Sequence, residues 1–179
     1  MKANTFEYPK SSFLAMPKDT SLVVNQIISN PNILKLLRYN TPDALRRPPV
    51  GSEELKKMIK TKQIAPIPQI TVDSEEKTYL RLYFDNFRPS ETNTYYRDHT
   101  IEIRIISHFN IWTLDDFDLR PFRIAGEIDA MLDGKRLTGI GLTRFLNATQ
   151  DVYNNEFGGI TLEYLVVRGN EDKVNPLNG

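Results

Sequence analysis

Alternation of apolar and polar residues with a period of two predicts four β-strands between residues 77 and 169. Residues 77–87 and 99–109 could pair as a long hairpin, because a polar loop connects them. Residues 139–152 and 158–169 give two further strands near the end of the chain. The apolar positions that would share one buried face are Leu80, Leu82, Phe84, Ile101, Ile103, Ile105, Ile160, Leu162, Tyr164 and Val166. The opposite face of the hairpin carries charged residues and is expected to be wet.

A helical period predicts three helices before the first strand. The first is expected to begin at Thr20, whose hydroxyl can cap it, and to stop before Pro31. Pro31 itself suits the first turn of the second helix. Ser52 can cap the third helix, in which Glu53 and Glu54 lie at the positive end of the helix dipole.

The stretch Arg120–Leu132 fits both periods, and the two interpretations lead to different proteins. As a strand, its Glu127 and Asp129 would look like the acidic strand of some metal-dependent nucleases. As a helix, it has Pro121 in its first turn and Gly134 where a C-cap is wanted. Length and this punctuation favour the helix, on which Glu127 and Asp129 are about 200° apart and cannot chelate one ion.

The nuclease interpretation also needs an acidic-x-Lys motif on the next strand, where the lysine helps to activate water. The chain reads EYL at residues 163–165 and EIR at residues 102–104, without that lysine. We therefore predict no catalytic, cofactor-binding or metal-binding residue. A small metal-dependent nuclease using Glu127 and Asp129 remains the alternative.

Three smaller motifs are expected to be structural. Gly139 and Gly141 follow a helix and open a strand, which favours a tight turn over a phosphate-binding loop. His99 and His108 have no second histidine nearby, so surface or loop histidines are expected rather than metal ligands. The acidic residues 115–118 favour a polar loop that caps the next helix over a cation site.

Composition narrows the classes of partner. In 179 residues, 23 basic and 23 acidic residues cancel, so no net field attracts DNA or an anionic membrane. The absence of cysteine excludes disulfides, thiolate zinc sites and cysteine nucleophiles. No apolar run approaches the ~18 residues of a membrane span, so a soluble protein made in a cytoplasm is expected.

Together the elements predict an α+β fold, with a mixed, mainly antiparallel β-sheet packed against helices and with N- and C-terminal extensions. One domain is expected over residues 19–169, with a helical block at 19–60 and the sheet with one helix at 68–169. Residues 1–18 are predicted to form an N-terminal arm, and residues 170–179 a flexible C-terminal tail.

The arm carries apolar residues that no local period would bury together, so it is expected to dock on a partner. Two tyrosines in the loop of the predicted hairpin are predicted to belong to the same interface. The predicted interface residues are Phe6, Tyr8, Phe13, Leu14, Met16, Tyr95 and Tyr96.

Two blocks of sequence carry a resemblance to known proteins. One is KSSFLAMPKDTSLVVNQIISNPNILKLLRYNT, at residues 10–41. The other is RDHTIEIRIISHFNIWTLDDFDLRPFRIAGEIDAMLDGKRLTGIGLTRFLNA, at residues 97–148, followed by GGITLEYLVVRG at residues 158–169. With both blocks, the chain resembles neck and tail-completion proteins of tailed bacteriophages, including tail terminators and the ring proteins below the portal of crAss-like phages.

The resemblance implies a structural virion protein and no enzyme. Such a protein would form a homo-oligomeric ring of six- or twelve-fold symmetry at the head-tail junction, as a neck or tail-terminator protein. It would join the portal or connector to the tail, contact adjacent neck, portal or tail proteins, and line a channel through which DNA passes without sequence-specific binding. The resemblance implies no cofactor and no membrane, and a virion protein assembled in the cytoplasm of a bacterial host.

Overall fold

The computed structural model describes residues 12–69, 75–89, 97–137 and 141–168. Within them, the α-helices are α1 (Ser12–Ile28), α2 (Pro31–Arg38), α3 (Ser52–Lys60) and α4 (Arg120–Leu132). The strands are β1 (Ile64–Ala65), β2 (Thr78–Pro89), β3 (Arg97–His108), β4 (Arg136–Leu137), β5 (Gly141–Val152) and β6 (Phe157–Arg168). Single turns of 3₁₀ helix lie at Ala44–Arg46, Phe109–Ile111 and Asp115–Phe117.

The strands form one sheet in the order β1-β2-β3-β6-β5-β4. Neighbouring strands are antiparallel, except that the two-residue β1 runs parallel to β2. The predicted hairpin is confirmed, because β2 and β3 pair along their length. The predicted α+β class, with a mainly antiparallel sheet against helices, is confirmed as well.

The helices cover one face of the sheet, and the main core lies between these two layers. On the strands, the predicted apolar positions point into it, and Leu82, Ile103 and Tyr164 are each at most 1% exposed. Burying each such side chain contributes about 1.5–3 kcal/mol relative to leaving it exposed. The helix residues of the core that are fully buried are Val23, Ile27, Ile33, Leu36, Leu37, Ile124, Ile128 and Leu132.

Helix α4 has the predicted bounds, so the stretch that fitted two periods is a helix and not a strand. Pro121 lies in its first turn, where a missing N–H costs nothing. Gly134 follows its end with a φ of 66°, a left-handed conformation that glycine adopts without strain. Ile124, Ile128 and Leu132 form its buried face at helical spacing.

The predicted starts of two other helices are wrong. α1 begins at Ser12 and continues through Pro17, so Thr20 is not its cap. Thr20 instead donates its hydroxyl hydrogen back to the carbonyl of Met16, within the helix. In α3, Gly51 is the N-cap, and Ser52 is already helical. A proline within a helix is uncommon, which explains the first error. Serine ranks above glycine as an N-cap, so Ser52 was preferred to the adjacent Gly51, which explains the second.

A buried arginine ties α4 to the end of α2. Arg120 is fully buried, and its guanidinium donates to the carbonyls of Leu36, Tyr39 and Ile111 at 2.7 Å each and of Thr41 at 3.0 Å. Burial lowers the pKa of Arg120 to about 10. The carbonyls at the C-terminal end of α2 carry the negative end of its dipole, which offsets part of the cost of burying this charge.

Candidate interaction surfaces

The two acidic residues of the nuclease hypothesis hold α4 in place. Glu127 accepts hydrogen bonds from the side-chain amides of Asn30 at 2.9 Å and Asn32 at 3.0 Å, and it pairs with Arg123 at 3.3 Å. Burial opposes its ionisation, but the two amides and Arg123 outweigh burial and keep the pKa of Glu127 below its ordinary value. Asp129 accepts a hydrogen bond from the Tyr164 hydroxyl at 2.9 Å.

These contacts leave the nuclease hypothesis without support. Glu127 and Asp129 lie on a helix and point to different partners, whereas the hypothesis required a strand. In the parts of the chain that the structure describes, no three acidic or histidine side chains come together as metal ligands do.

The histidines and the acidic loop differ from their predictions. His99 and His108 lie on β3 but are only 2% and 7% exposed, so the prediction of surface or loop histidines is wrong. Aromatic rings enclose them: the ring of Phe84 is 5.0 Å from that of His99, and the ring of Phe157 is 4.9 Å from that of His108. The two histidines are buried because aromatic rings pack against them, and the alternation of residues along a strand does not predict these contacts.

The acidic residues before α4 do not cap it. Leu119 occupies the N-cap position without a side-chain hydrogen bond to the helix, so the predicted capping role is wrong. Asp118 instead accepts from the N–H of Leu119 and faces Arg123 at 3.8 Å, and Asp115 pairs with Arg46. These carboxylates are satisfied locally, which is typical of a polar loop.

The polar face of the sheet is less exposed to solvent than predicted. Arg81 and Glu102 are only 3% and 7% exposed. Arg81 donates to the carbonyls of Gln63 and Gln69, so the chain after α3 covers it. Glu102 accepts from the Tyr83 hydroxyl and from Arg104, and burial raises the pKa of Tyr83, with Glu102 adding to the effect.

Among the predicted interface residues, the structure describes only two side chains. Phe13, in the first turn of α1, is 54% exposed, and its ring lies 5.0 Å from the ring of Phe87 on β2. Met16 is half-buried in the same helix. Phe6, Tyr8, Tyr95 and Tyr96 lie outside the described residues, as does the side chain of Leu14. Their interface role remains a prediction.

Among the residues that the structure describes, nothing pairs along most of one edge of the sheet, which we call the open edge. β4 pairs with only the first two residues of β5, Gly141 and Leu142. Beyond them, residues 144–150 are all exposed, and the apolar side chains of Phe145, Leu146 and Val152 are 43%, 47% and 71% exposed. This part of β5 contains two charged residues, Arg144 near its start and Asp151 near its end, and no proline or lysine. The register irregularity of β5 lies between Phe145 and Asn147, so the residues after it lack a bulge, a proline and a lysine that would prevent pairing with another strand.

The other edge is blocked. β1 pairs with Leu80 and Arg81 near the start of β2. Further along, β2 has a register irregularity, Asn86 has a φ of 53°, and the strand ends in Arg88 and Pro89. A bulge, a charge and a proline each interfere with the addition of a further strand.

A second exposed surface was missed from the sequence. Phe117 is 98% exposed and has a φ of 61°, a conformation that bulky side chains rarely adopt. Leu119 and Phe122 beside it are 38% and 43% exposed. Only the backbone conformation distinguishes Phe117 from a core residue, and no sequence signal gives it.

None of the helices in the described ranges combines the length and apolar character needed to cross a bilayer.

The fold and its surfaces define an α+β protein with an open strand edge and exposed aromatic side chains suited to protein contacts. The profile of the YomW family matches residues 30–166, which span α2 to β6. The chain belongs to the YomW family, a family derived from a Bacillus phage, and is thus phage-associated. No curated protein matches it.

Proposed function

We propose that this phage-associated protein is a structural virion protein that forms a homo-oligomeric ring at the head-tail junction. The observation that carries the proposal is the open edge of β5, at residues 146–152. An edge strand with free backbone groups and exposed apolar side chains promotes unwanted pairing in a protein that acts alone. A neighbouring subunit that covers this edge explains why the chain keeps it.

The difference between the two edges supports a ring over a two-fold dimer. A two-fold contact uses the same patch on both subunits, whereas a head-to-tail contact joins two different patches and forms a ring when the rotation between subunits closes. In the described chain, the β5 side is open and the β2 side is blocked, so the two sides are suited to different roles. The proposed ring has six or twelve copies and acts as a neck or tail-terminator protein.

Contacts along the ring axis require a surface away from the sheet edges. Phe117, Leu119 and Phe122 provide one at the start of α4. The positive φ of Phe117 favours a functional role, because residues with strained backbones cluster at functional sites. Adjacent neck, portal or tail proteins are the proposed partners there.

The balanced charge of the chain fits a channel that lets DNA pass. With 23 basic and 23 acidic residues, the subunit has no net attraction that would hold a duplex in the channel. The proposal includes no enzymatic activity, cofactor or membrane contact, and it places the protein in the virion after assembly in the host cytoplasm.

Mass photometry of the full chain tests the ring, and immunogold labelling of phage particles tests its place. Six or twelve copies of the 20.7 kDa chain are expected, together with label at the head-tail junction. A stable monomer with no label on particles would contradict the proposal. Incubation with DNA and Mg²⁺ should leave the DNA intact, and cleavage that is lost in Asp129→Asn would favour the nuclease instead.

A further inference from the structure

We propose that the N-terminal arm of one copy adds as a strand to the open edge of β5 on the neighbouring copy. This inference rests on the proposed ring, since it supplies the contact between ring subunits. The one occupant of the edge is the part of the predicted arm before α1, at residues 1–11, because residues 12–18 of that predicted arm belong to α1.

The backbone of β5 shows which groups are available. Before the irregularity in this strand, Thr143 and Phe145 direct their N–H groups away from β6, to the carbonyl of Lys135 at 2.9 Å and the carboxylate of Asp133 at 2.8 Å. Lys135 and Asp133 thus extend the cover that β4 provides. Beyond Phe145, no contact of this kind continues along the described edge.

After the irregularity, which lies between Phe145 and Asn147, the pattern can be followed from the other end. Tyr153 directs its N–H inward, to the carbonyl of Phe157 at 2.9 Å. Since inward and outward groups alternate along an antiparallel strand, Ala148, Gln150 and Val152 direct their N–H and C=O groups outward. These groups form a regular ladder to which a strand can pair.

The side chains of this ladder match an aromatic strand. Ala148 and Gln150 pair with Leu162 and Ile160, which face the helix layer, so the exposed Val152 belongs to the same face. None of the helices that the structure describes covers this end of β5, where residues 144–150 are exposed. In the sequence, Phe6 and Tyr8 are two residues apart, and they would share one face of a strand. Added beside β5, that face would cover the exposed apolar positions.

The position of the start of α1 favours binding of residues 1–11 to the β5 edge of a neighbouring copy over binding to that of their own chain. Phe13 packs on Phe87, so α1 begins on the β2 side of the sheet. On the same chain, α4 packs over β3, β6 and β5 and separates the start of α1 from the open edge. The proposed head-to-tail ring brings the β5 edge of the next copy to the β2 side. Eleven extended residues span up to ~36–40 Å, which is long enough to reach the edge of an adjoining copy.

Cross-linking tests this contact directly, because the chain has no cysteine of its own. A chain carrying Glu7→Cys is mixed with a chain carrying Thr149→Cys and treated with a short bismaleimide. A cross-linked dimer is expected, and at least ten-fold less with Asp85→Cys on the blocked edge as the matched control. Equal yields with both, or no dimer with Thr149→Cys, would overturn the inference.

A proline variant tests whether backbone pairing makes the contact. Gln150→Pro removes an outward N–H, whereas Gln150→Ala keeps it. The cross-link from Glu7→Cys to Thr149→Cys should fall at least ten-fold with Gln150→Pro and stay within two-fold with Gln150→Ala. Equal loss in both variants would show that the side chain of Gln150, not the ladder, makes the contact, and would overturn the inference.

The outcomes separate this inference from the proposed function. A double variant, Glu7→Cys with Thr149→Cys in one chain, should give linked oligomers; cross-linking confined to monomers would overturn the contact between copies. Rings that form without the cross-link overturn the arm contact alone. A cross-link between copies on a protein that labels no head-tail junction overturns the virion role and leaves the arm contact standing.

Discussion

The two edges of the sheet are formed by strands of equal length that differ in how they end. β2 and β5 each have 12 residues, and each is paired over only two residues by a short outer strand. The free part of β2 carries Asn86 with positive φ, then Arg88 and Pro89. The free part of β5 has seven residues without proline or lysine. The backbone is open in both, so side chains and φ angles decide which edge can accept a partner.

This difference also limits how strong one contact can be. Each hydrogen bond gained by an added strand contributes about 0.5–1.5 kcal/mol, and each cross-strand side-chain pair about 0.2–1 kcal/mol. Three outward-facing residues of β5 therefore provide only a few kcal/mol. Such a contact is weak between two free copies and becomes effective when ring closure makes it intramolecular.

The largest effect is expected at the centre of the sheet, which sets the register of both edges. A Cβ on Gly159 would lie 1.7 Å from the carbonyl oxygen of Ile105 on β3. Gly159→Ala should therefore lower the free energy of unfolding by about 3–5 kcal/mol, measured by urea denaturation. Gly126→Ala is the matched control, because its Cβ meets nothing within 4 Å, and it should stabilise by about 0.5–1 kcal/mol. Equal effects would contradict the close approach of β3 and β6.

Neighbouring prolines on β5 test which backbone groups face outward. Thr149→Pro removes an N–H that points to β6 and should cost about 3 kcal/mol. Gln150→Pro removes an outward N–H and should cost less than about 1 kcal/mol. Thermal and urea unfolding of the two variants measure the difference. If Gln150→Pro cost more than Thr149→Pro, the outward N–H groups of β5 would belong to the odd-numbered residues, such as Thr149, and not to Ala148, Gln150 and Val152.

A moderate effect on stability is expected where α4 contacts the start of α2. Glu127 on α4 accepts from Asn30 and Asn32 at the start of α2. Glu127→Gln should cost about 1 kcal/mol at neutral pH. Because the folded pKa is lowered from 4.5, the advantage of the wild type is present above pH 4.5 and is lost as pH falls through the lower folded pKa. Urea unfolding at a series of pH values checks this, and a difference that grows on acidification would contradict it.

The smallest effect on stability is expected from opening the blocked edge. Asp85→Thr, Arg88→Thr and Pro89→Thr together should change the free energy of unfolding by less than about 0.5 kcal/mol, since these residues end an edge strand. The variant should nevertheless associate more strongly than the wild type in sedimentation velocity experiments, because the two charges and the proline that hinder pairing are gone. Unchanged association would show that the bulge and Asn86 suffice to block β2.

Local sequence patterns predicted the elements whose signals are local. Arg120–Leu132 was predicted with its correct bounds because a proline and a glycine mark its ends. The long strands were predicted because their apolar residues alternate over many positions. β1 and β4 were missed because two residues carry no period. α1 was started late because Pro17 lies inside it and was taken as part of an extended arm.

The surfaces depend on which strands become neighbours, and sequence patterns do not give this. β5 is an edge strand only because β6 pairs with β3 on its other side. The burial of Arg120 depends on carbonyls of residues about eighty positions away in sequence, such as Leu36. The exposure of Phe117 follows from its backbone angle. Each of these features arises from contacts between distant segments, so alternation and capping rules cannot reveal it.

Amide hydrogen exchange on both edges, in the monomer and in the assembled ring, tests the central claim most directly. The claim is that the β5 edge is built to be covered by another copy and the β2 edge is not. The amides of Ala148, Gln150 and Val152 should exchange fast in the monomer and at least ten-fold more slowly in the ring, while those of Leu82 and Phe84 keep their rates. Fast exchange at the β5 positions in a verified ring, or equal protection of both edges, would contradict the account.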